Sequence, residues 1–268
     1  MNIRRCAFQA VLIAGLVMAA TIAAAEFEDL RMECRDAYAA GDLDTSRSAA
    51  AAVLAGVPGD YEASWMLARV LIDIGNREQD NKARKAVYSE AVENARVAVA
   101  ASPDDTWGHH YLAAAVGKLA LTEGGKKKIK LSKEVREEAE LALECDPSND
   151  KSHHILGRWN REVATLSPLL KLAAKVVYGG VPKGATKEKA VIHFQEAIRL
   201  NPEHINHHLE LGVTFMKMQR YEEALLEFQT VASLENSDPN DPDYKEEADR
   251  LLEKCHKRMD RGGKDSSR

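Results

Sequence analysis

Nine histidines, six of them in three adjacent pairs, are the residues of this 268-residue chain best suited to chemistry. The pairs are His109-His110, His153-His154 and His207-His208. Neutral imidazole is a common metal ligand, so pairs stacked from repeat to repeat invite a search for a metal site. Adjacent residues on a helix diverge by about 100°, however, so the two members of a pair do not face one ion. His109, His153 and His208 fall where the repeat set out below packs an aromatic, and are expected as core fillers. His110 and His154 are expected on an inner groove, with no metal between them.

A second set is basic. Lys151, His154, Arg158 and Arg161 recur at spacings of three to four, which places them on one side of one helix, with Trp107 and His110 as neighbours on the preceding unit. Ammonium and guanidinium groups beside aromatics suit a carboxylate, a phosphate or an acidic peptide segment. Trp107, His110, Lys151, His154, Arg158 and Arg161 are therefore the candidate partner-binding residues. The competing arrangement pairs Arg158 with Glu162 one turn away. Lys126, Lys127, Lys128 and Lys130 follow Gly124-Gly125 and are candidates for contact with an anionic membrane surface, worth about 1 kcal/mol per lysine. GxSxG, HExxH and P-loop patterns are absent from the sequence, so neither a catalytic site nor a cofactor is expected.

These side chains need helices to carry them. The chain is 45% hydrophobic, 29% charged and 6% aromatic, with no sustained alternation of Val, Ile and Thr, which argues for an all-α fold. Met1–Arg5 is basic, Cys6–Ala25 is uncharged and mostly apolar, and Ala23-Ala24-Ala25 precedes Glu26, so residues 1–25 are expected to be a signal peptide cleaved after Ala25. The protein would then be exported, periplasmic or secreted; the alternative is membrane anchoring by residues 6–25. The formal charge of −5 disfavours nucleic acid as a partner. Cys34, Cys145 and Cys255 show no CxxC spacing and are expected as buried small hydrophobes.

Proline marks a period. Pro58, Pro103, Pro147 and Pro202 each follow a helical run, at spacings of 45, 44 and 55 residues. All exceed the 34 of a tetratricopeptide unit. The unit after Pro202 nevertheless fits that pattern, with Leu211-Gly212, Phe215, Ala224 and Phe228 at its Leu-Gly, Tyr, Ala and Phe places. Second helices recur before the prolines, at Ala91, Ala95 and Ala98, at Ala139 and Ala142, and at Ala190, Phe194 and Ala197. The surplus residues therefore lie inside units. Asn76–Lys85 is expected as a solvated extension, Leu121–Lys133 as a flexible hinge leading into lysines, and Leu166–Ala185 as an insertion whose Leu169–Tyr178 is apolar apart from Lys171 and Lys175. Phe27–Pro58 suits a capping unit and Tyr244–Met259 a closing helix.

The expected architecture is an α-solenoid of about five tetratricopeptide-like helix pairs with inserted helices and a C-terminal closing helix, spanning residues 26–260. Residues 261–268 are expected to be a disordered tail.

From Trp107 to Met218 the chain also resembles the regulator of microtubule dynamics family. The likeness lies in Trp107 with Gly125-Lys126-Lys127-Lys128-Ile129, then His154-Ile155-Leu156-Gly157-Arg158-Trp159 with Glu162-Val163-Ala164. It continues through Leu166-Ser167, Ala173-Ala174, Gly179 and Pro182 to Ala197, Asn201-Pro202 and Leu211-Gly212. The resemblance implies an all-helical repeat domain without enzymatic activity or cofactor that associates with microtubules or organelle membranes. Together these readings make the chain a non-enzymatic scaffold or adaptor that binds a protein or peptide in its concave groove. The alternative is a microtubule-associated, membrane-tethering or lipid-contacting protein.

Overall fold

Three residues after each period-marking proline a helix begins. Asp60, Asp105 and Asn149 cap those starts by accepting the N–H of Ala63, Trp107 and Ser152, which satisfies donors the helix itself leaves open. His204 holds the equivalent place after Pro202 and makes no capping bond. The computed structural model describes residues 24–167, 171, 175, 180 and 184–265. Among the described residues the regular structure is helical throughout.

The helices are α1 (residues 24–39), α2 (Leu43–Gly56), α3 (Tyr61–Arg77), α4 (Asn81–Ala101), α5 (Thr106–Thr122), α6 (Gly125–Cys145), α7 (Asp150–Thr165), α8 (Lys187–Leu200), α9 (Ile205–Lys217), α10 (Tyr221–Ser233) and α11 (Asp241–Asp265). Helix α1 is tied to α2 where Ser46 Oγ donates to Cys34 O, consecutive helices pair from α2/α3 to α9/α10, and α11 closes the array against α9 and α10. Alanines fill the crossings: Ala91, Ala95, Ala98, Ala139, Ala142, Ala190, Ala197 and Ala224 are all fully buried. The array is the α-solenoid expected from the repeat pattern, although α11 begins before Tyr244 and runs past Met259 to Asp265.

The surplus residues of the two long units went into helices instead of loops. Helices α3 and α4 have 17 and 21 residues, as do α5 and α6, against 13 each for α9 and α10. The expected extension Asn76–Lys85 is thus mostly helical. Asn76 accepts from the Tyr88 hydroxyl at 3.1 Å and from Lys118 Nζ at 2.7 Å. The expected hinge is a tight turn, with Gly124 as N-cap and the lysines already in α6.

Glycine at the Leu-Gly place does what the pattern requires. A β-carbon at Gly212 would lie 2.5 Å from the Phe228 ring, and one at Gly157 would lie 2.8 Å from the Phe194 ring. So α7 and α8 form one unit despite the insertion between them. The apolar stretch Leu169–Tyr178 lies outside the described residues except for Lys171 and Lys175, which are helical, with Lys171 Nζ donating to Ala164 O at 2.9 Å. The proposed leader, residues 1–25, is likewise outside them up to residue 23. No described helix is long and apolar enough to cross a membrane.

At the far end Asp241, 1% exposed, accepts the N–H groups of Ser237 and Asp238 at 2.7 Å each and fixes the α10–α11 loop. That loop reaches the start of the array: Asp238 lies 3.8 Å from Arg69, and a methyl at Gly41 would touch Pro239.

Candidate functional site

The first helices of successive units, α3, α5, α7 and α9, face inward, and the α10–α11 loop closes the space between them. What they surround is a cavity of about 310 Å³. Its wall carries the cations Arg69, Lys118, Lys128, Lys151 and Arg158 against the acids Asp73, Glu162 and Asp238. Between them the lining is apolar, including Ala113, Ala120, Leu121, Val135, Ile155 and Val163. Arg69 sits 3.6 Å above the Tyr38 ring, whose hydroxyl bonds Asp73. Lys118 is pushed down to about 8 by burial and by the nearby Arg158.

Four histidines belong to this wall: His110, His154, His204 and His207. Their bonds fix a direction. His207 Nε2 faces the Asp150 carboxylate at 2.9 Å and must donate to it. A neutral His207 then accepts at Nδ1, so His154 Nδ1–H is the donor across 3.0 Å. The His204 ring stacks on His207 with centroids 4.1 Å apart. Burial keeps these rings neutral: His110 is lowered to about 3 and His204 to about 4, and His154 and His207 are also lowered, His207 against the opposing pull of Asp150. Asp150 is buried too, which would raise it, but the His207 bond outweighs this and holds its carboxyl well below the usual range. Among the described residues no group of three or more His, Cys, Asp or Glu is arranged to hold a metal ion.

Residues 33–256, the whole array but for its outermost turns, match the sequence model of the regulator of microtubule dynamics protein 1-3 family. The chain belongs to that family.

Regulator of microtubule dynamics protein 1 of Bos taurus is 30% identical over 164 residues, covering 59% of this chain and 50% of that protein. Regulator of microtubule dynamics protein 3 of Rattus norvegicus is 30% identical over 138 residues, covering 52% of this chain and 29% of its own. The chain thus spans about half the length of the first relative and under a third of the second. Among solved structures, a thermophilic TPR protein of Thermus thermophilus superposes with a TM-score of 0.62 at 19% identity, covering 84% of this chain and 98% of that one. That likeness is one of fold. The family match reaches well beyond the Trp107–Met218 stretch that carries it by eye.

In this regulator-family chain, four of the six expected partner-binding residues line the cavity: His110, Lys151, His154 and Arg158. Two do not. Arg161 is 3% exposed and turns under the next unit, where it pairs with Glu210 and donates to Glu210 O at 3.0 Å. Trp107 packs flat against Trp65, with centroids 5.8 Å apart. Arg158 does not pair with Glu162; its partner is Glu210 at 3.3 Å. Burial would raise Glu210, yet Arg158 and Arg161 together hold it low.

The outer histidines are polar staples rather than apolar fillers. His109 Nε2 meets Pro103 O at 2.9 Å, His153 Nε2 meets Pro147 O at 3.2 Å and His208 Nε2 meets Pro202 O at 3.0 Å. Each ring thus ties its helix to the proline that opens the unit. Their Nδ1 atoms meet Glu138, His193 and Glu227. Lys126, Lys127, Lys128 and Lys130 are exposed at the start of α6, where Lys127 bonds Glu123 at 2.7 Å. Cys34 and Cys255 are buried as expected, whereas Cys145 is exposed.

Proposed function

We propose that the chain is a non-enzymatic scaffold that takes an acidic, partly apolar segment of a protein partner into the central cavity. The observation that carries this is the mixed lining of one cavity, where cations and imidazoles alternate with aliphatic side chains on the same helices. Charge-assisted hydrogen bonds, each worth about 1.5–3 kcal/mol, would fix the acidic groups. The aliphatic side chains supply burial at about 25 cal/mol per Å². Gly117 offers a direct test, because it lines the cavity and a β-carbon there would meet nothing nearer than Val135 at 3.7 Å. Gly117→Phe should fill the space without disturbing the helix. In fluorescence anisotropy with labelled ten-residue peptides of Asp and Glu interleaved with Leu, the variant should bind at least tenfold more weakly. Equal binding by the two proteins rejects the cavity as the site.

A second reading has its own support. Lysines in the first turns of a helix oppose its positive end, and Lys126, Lys128 and Lys130 have no carboxylate partner among the described residues. They favour docking on an external acidic surface, which for relatives named as regulators of microtubule dynamics suggests the microtubule. Changing Lys126, Lys127, Lys128 and Lys130 to Gln should abolish salt-sensitive cosedimentation with microtubules or flotation with anionic vesicles. Unchanged recovery in both assays removes this reading. The export expectation joins the proposal, and sequencing the mature N terminus tests it: Glu26 supports cleavage after Ala25, and Met1 refutes it.

A further inference from the structure

Lys151 differs from the other cations of the cavity. Arg69 faces Asp238, Lys118 donates to Asn76, and Arg158 pairs with Glu210. Lys128 has no partner among the described residues but is exposed. Lys151 is half-buried and has neither a hydrogen bond nor an ion pair among the described residues. Burial depresses its ammonium, and Arg69 adds to this. A cation withdrawn from water without a partner is costly unless something supplies the counter-charge.

An independent anomaly lies on the same wall. At the N-cap place where the other post-proline helices have Asp60, Asp105 and Asn149, helix α9 has His204, which caps nothing. Its Nδ1 is buried without a partner. Buried polar atoms are nearly always bonded, and exceptions call for a ligand or a water. Lys151, His204 and His207 line the same cavity.

We propose that Lys151 and His204 form a seat for a carboxylate of the bound segment, Lys151 giving the counter-charge and His204 the Nδ1–H donor. The proposal rests on the reading of the cavity as the binding site and names the group recognised there. A carboxylate suits it better than a phosphate, because Asp73, Asp150 and Asp238 act on the same ammonium and would repel a dianion about twice as strongly. The carboxylate has two sources, the C terminus of the partner or an Asp or Glu side chain.

The test uses acetate, and a pair of acidic hexapeptides identical except for a free or amidated C terminus. Acetate should shift the ring resonances of His204 at millimolar concentrations, in keeping with the small affinity open to four heavy atoms. Lys151→Met should weaken that response at least tenfold while raising the melting temperature of the empty protein, and Lys151→Arg should retain the response. A purely structural lysine would instead lower the melting temperature in the Met variant. Binding of the free but not the amidated peptide assigns the seat to a C terminus; binding of both assigns it to a side chain. If peptides bind wild type and Lys151→Met alike, the seat is wrong and the cavity reading survives. If acetate shifts His204 while Gly117→Phe leaves peptide affinity unchanged, the seat stands and the cavity reading fails.

Discussion

The ring of Phe194 lies 2.8 Å from where a β-carbon on Gly157 would stand, across an insertion that separates the two helices in sequence. In a bare helix, Gly→Ala stabilises by about 1 kcal/mol. Here the methyl has to displace a fully buried ring, and overpacking of that kind costs about 1–3 kcal/mol. Gly157→Ala should therefore lower the urea midpoint. A raised midpoint would mean that the contact is slack.

The same contact says that the insertion is not what holds its unit together. Helices α7 and α8 pack more extensively than α9 and α10, and Gly212 with Phe228 makes the same contact with an ordinary short turn between its helices. Replacing residues 168–183 by a short Gly/Ser linker should leave the circular dichroism spectrum and a single cooperative melt. Loss of cooperativity would show that the insertion is a structural part.

Arg158 and Arg161 share Glu210 but should not behave alike. Arg161 is 3% exposed, and its loss leaves Glu210, both its carboxylate and its carbonyl, with one partner fewer. Removing one member of a buried pair costs about 3–5 kcal/mol. Arg161→Met should approach that figure in chemical denaturation, whereas Arg158→Met should cost no more than about half as much. The reverse order would put Arg161 in the groove.

Acid should weaken the fold before any carboxylate titrates. His110, His193 and His204 are lowered to about 3, 4 and 4 by burial, and His154 and His207 are lowered too. Below the unfolded histidine value of about 6.5, the unfolded chain takes up protons that the fold refuses. Stability should therefore fall as pH drops from 7 towards 4, by at most about 1.4 kcal/mol per pH unit for each histidine. His208 runs the other way: burial would lower it, but Glu227 and the Pro202 carbonyl raise it. Its contribution is complete below about 6.5 and disappears as pH rises through its raised value. His208→Gln should thus destabilise more at pH 6 than at pH 9. A flat difference across that range would contradict the staple.

How much of this could be read beforehand differs from residue to residue. Leu211-Gly212 and Phe228 announce their unit because the glycine and aromatic answer a steric need that the sequence must encode. Asn76–Lys85 is the solvated extension its charge announced, and because such residues are also good helix formers it lengthened α3 and α4. Helical phase put His110 and His154 on the inner wall correctly. It could not separate Arg158 from Arg161, because that depends on Glu210, contributed by the next unit. His204 carries no amphipathic signal at all. The clue available was its position two after Pro202, where the comparable sites hold Asp or Asn.

The ion pair of Arg69 with Asp238, and the approach of Pro239 to within a methyl group of Gly41, alter the statistics of opening. In a linear stack each unit answers only to its neighbours, and fraying proceeds inward from either margin. Here the first and last described units also answer to each other, so the chain of couplings becomes a loop and neither margin loosens alone. Amide hydrogens of α2 and α11 should then exchange through a common event, and Asp238→Asn should speed both together.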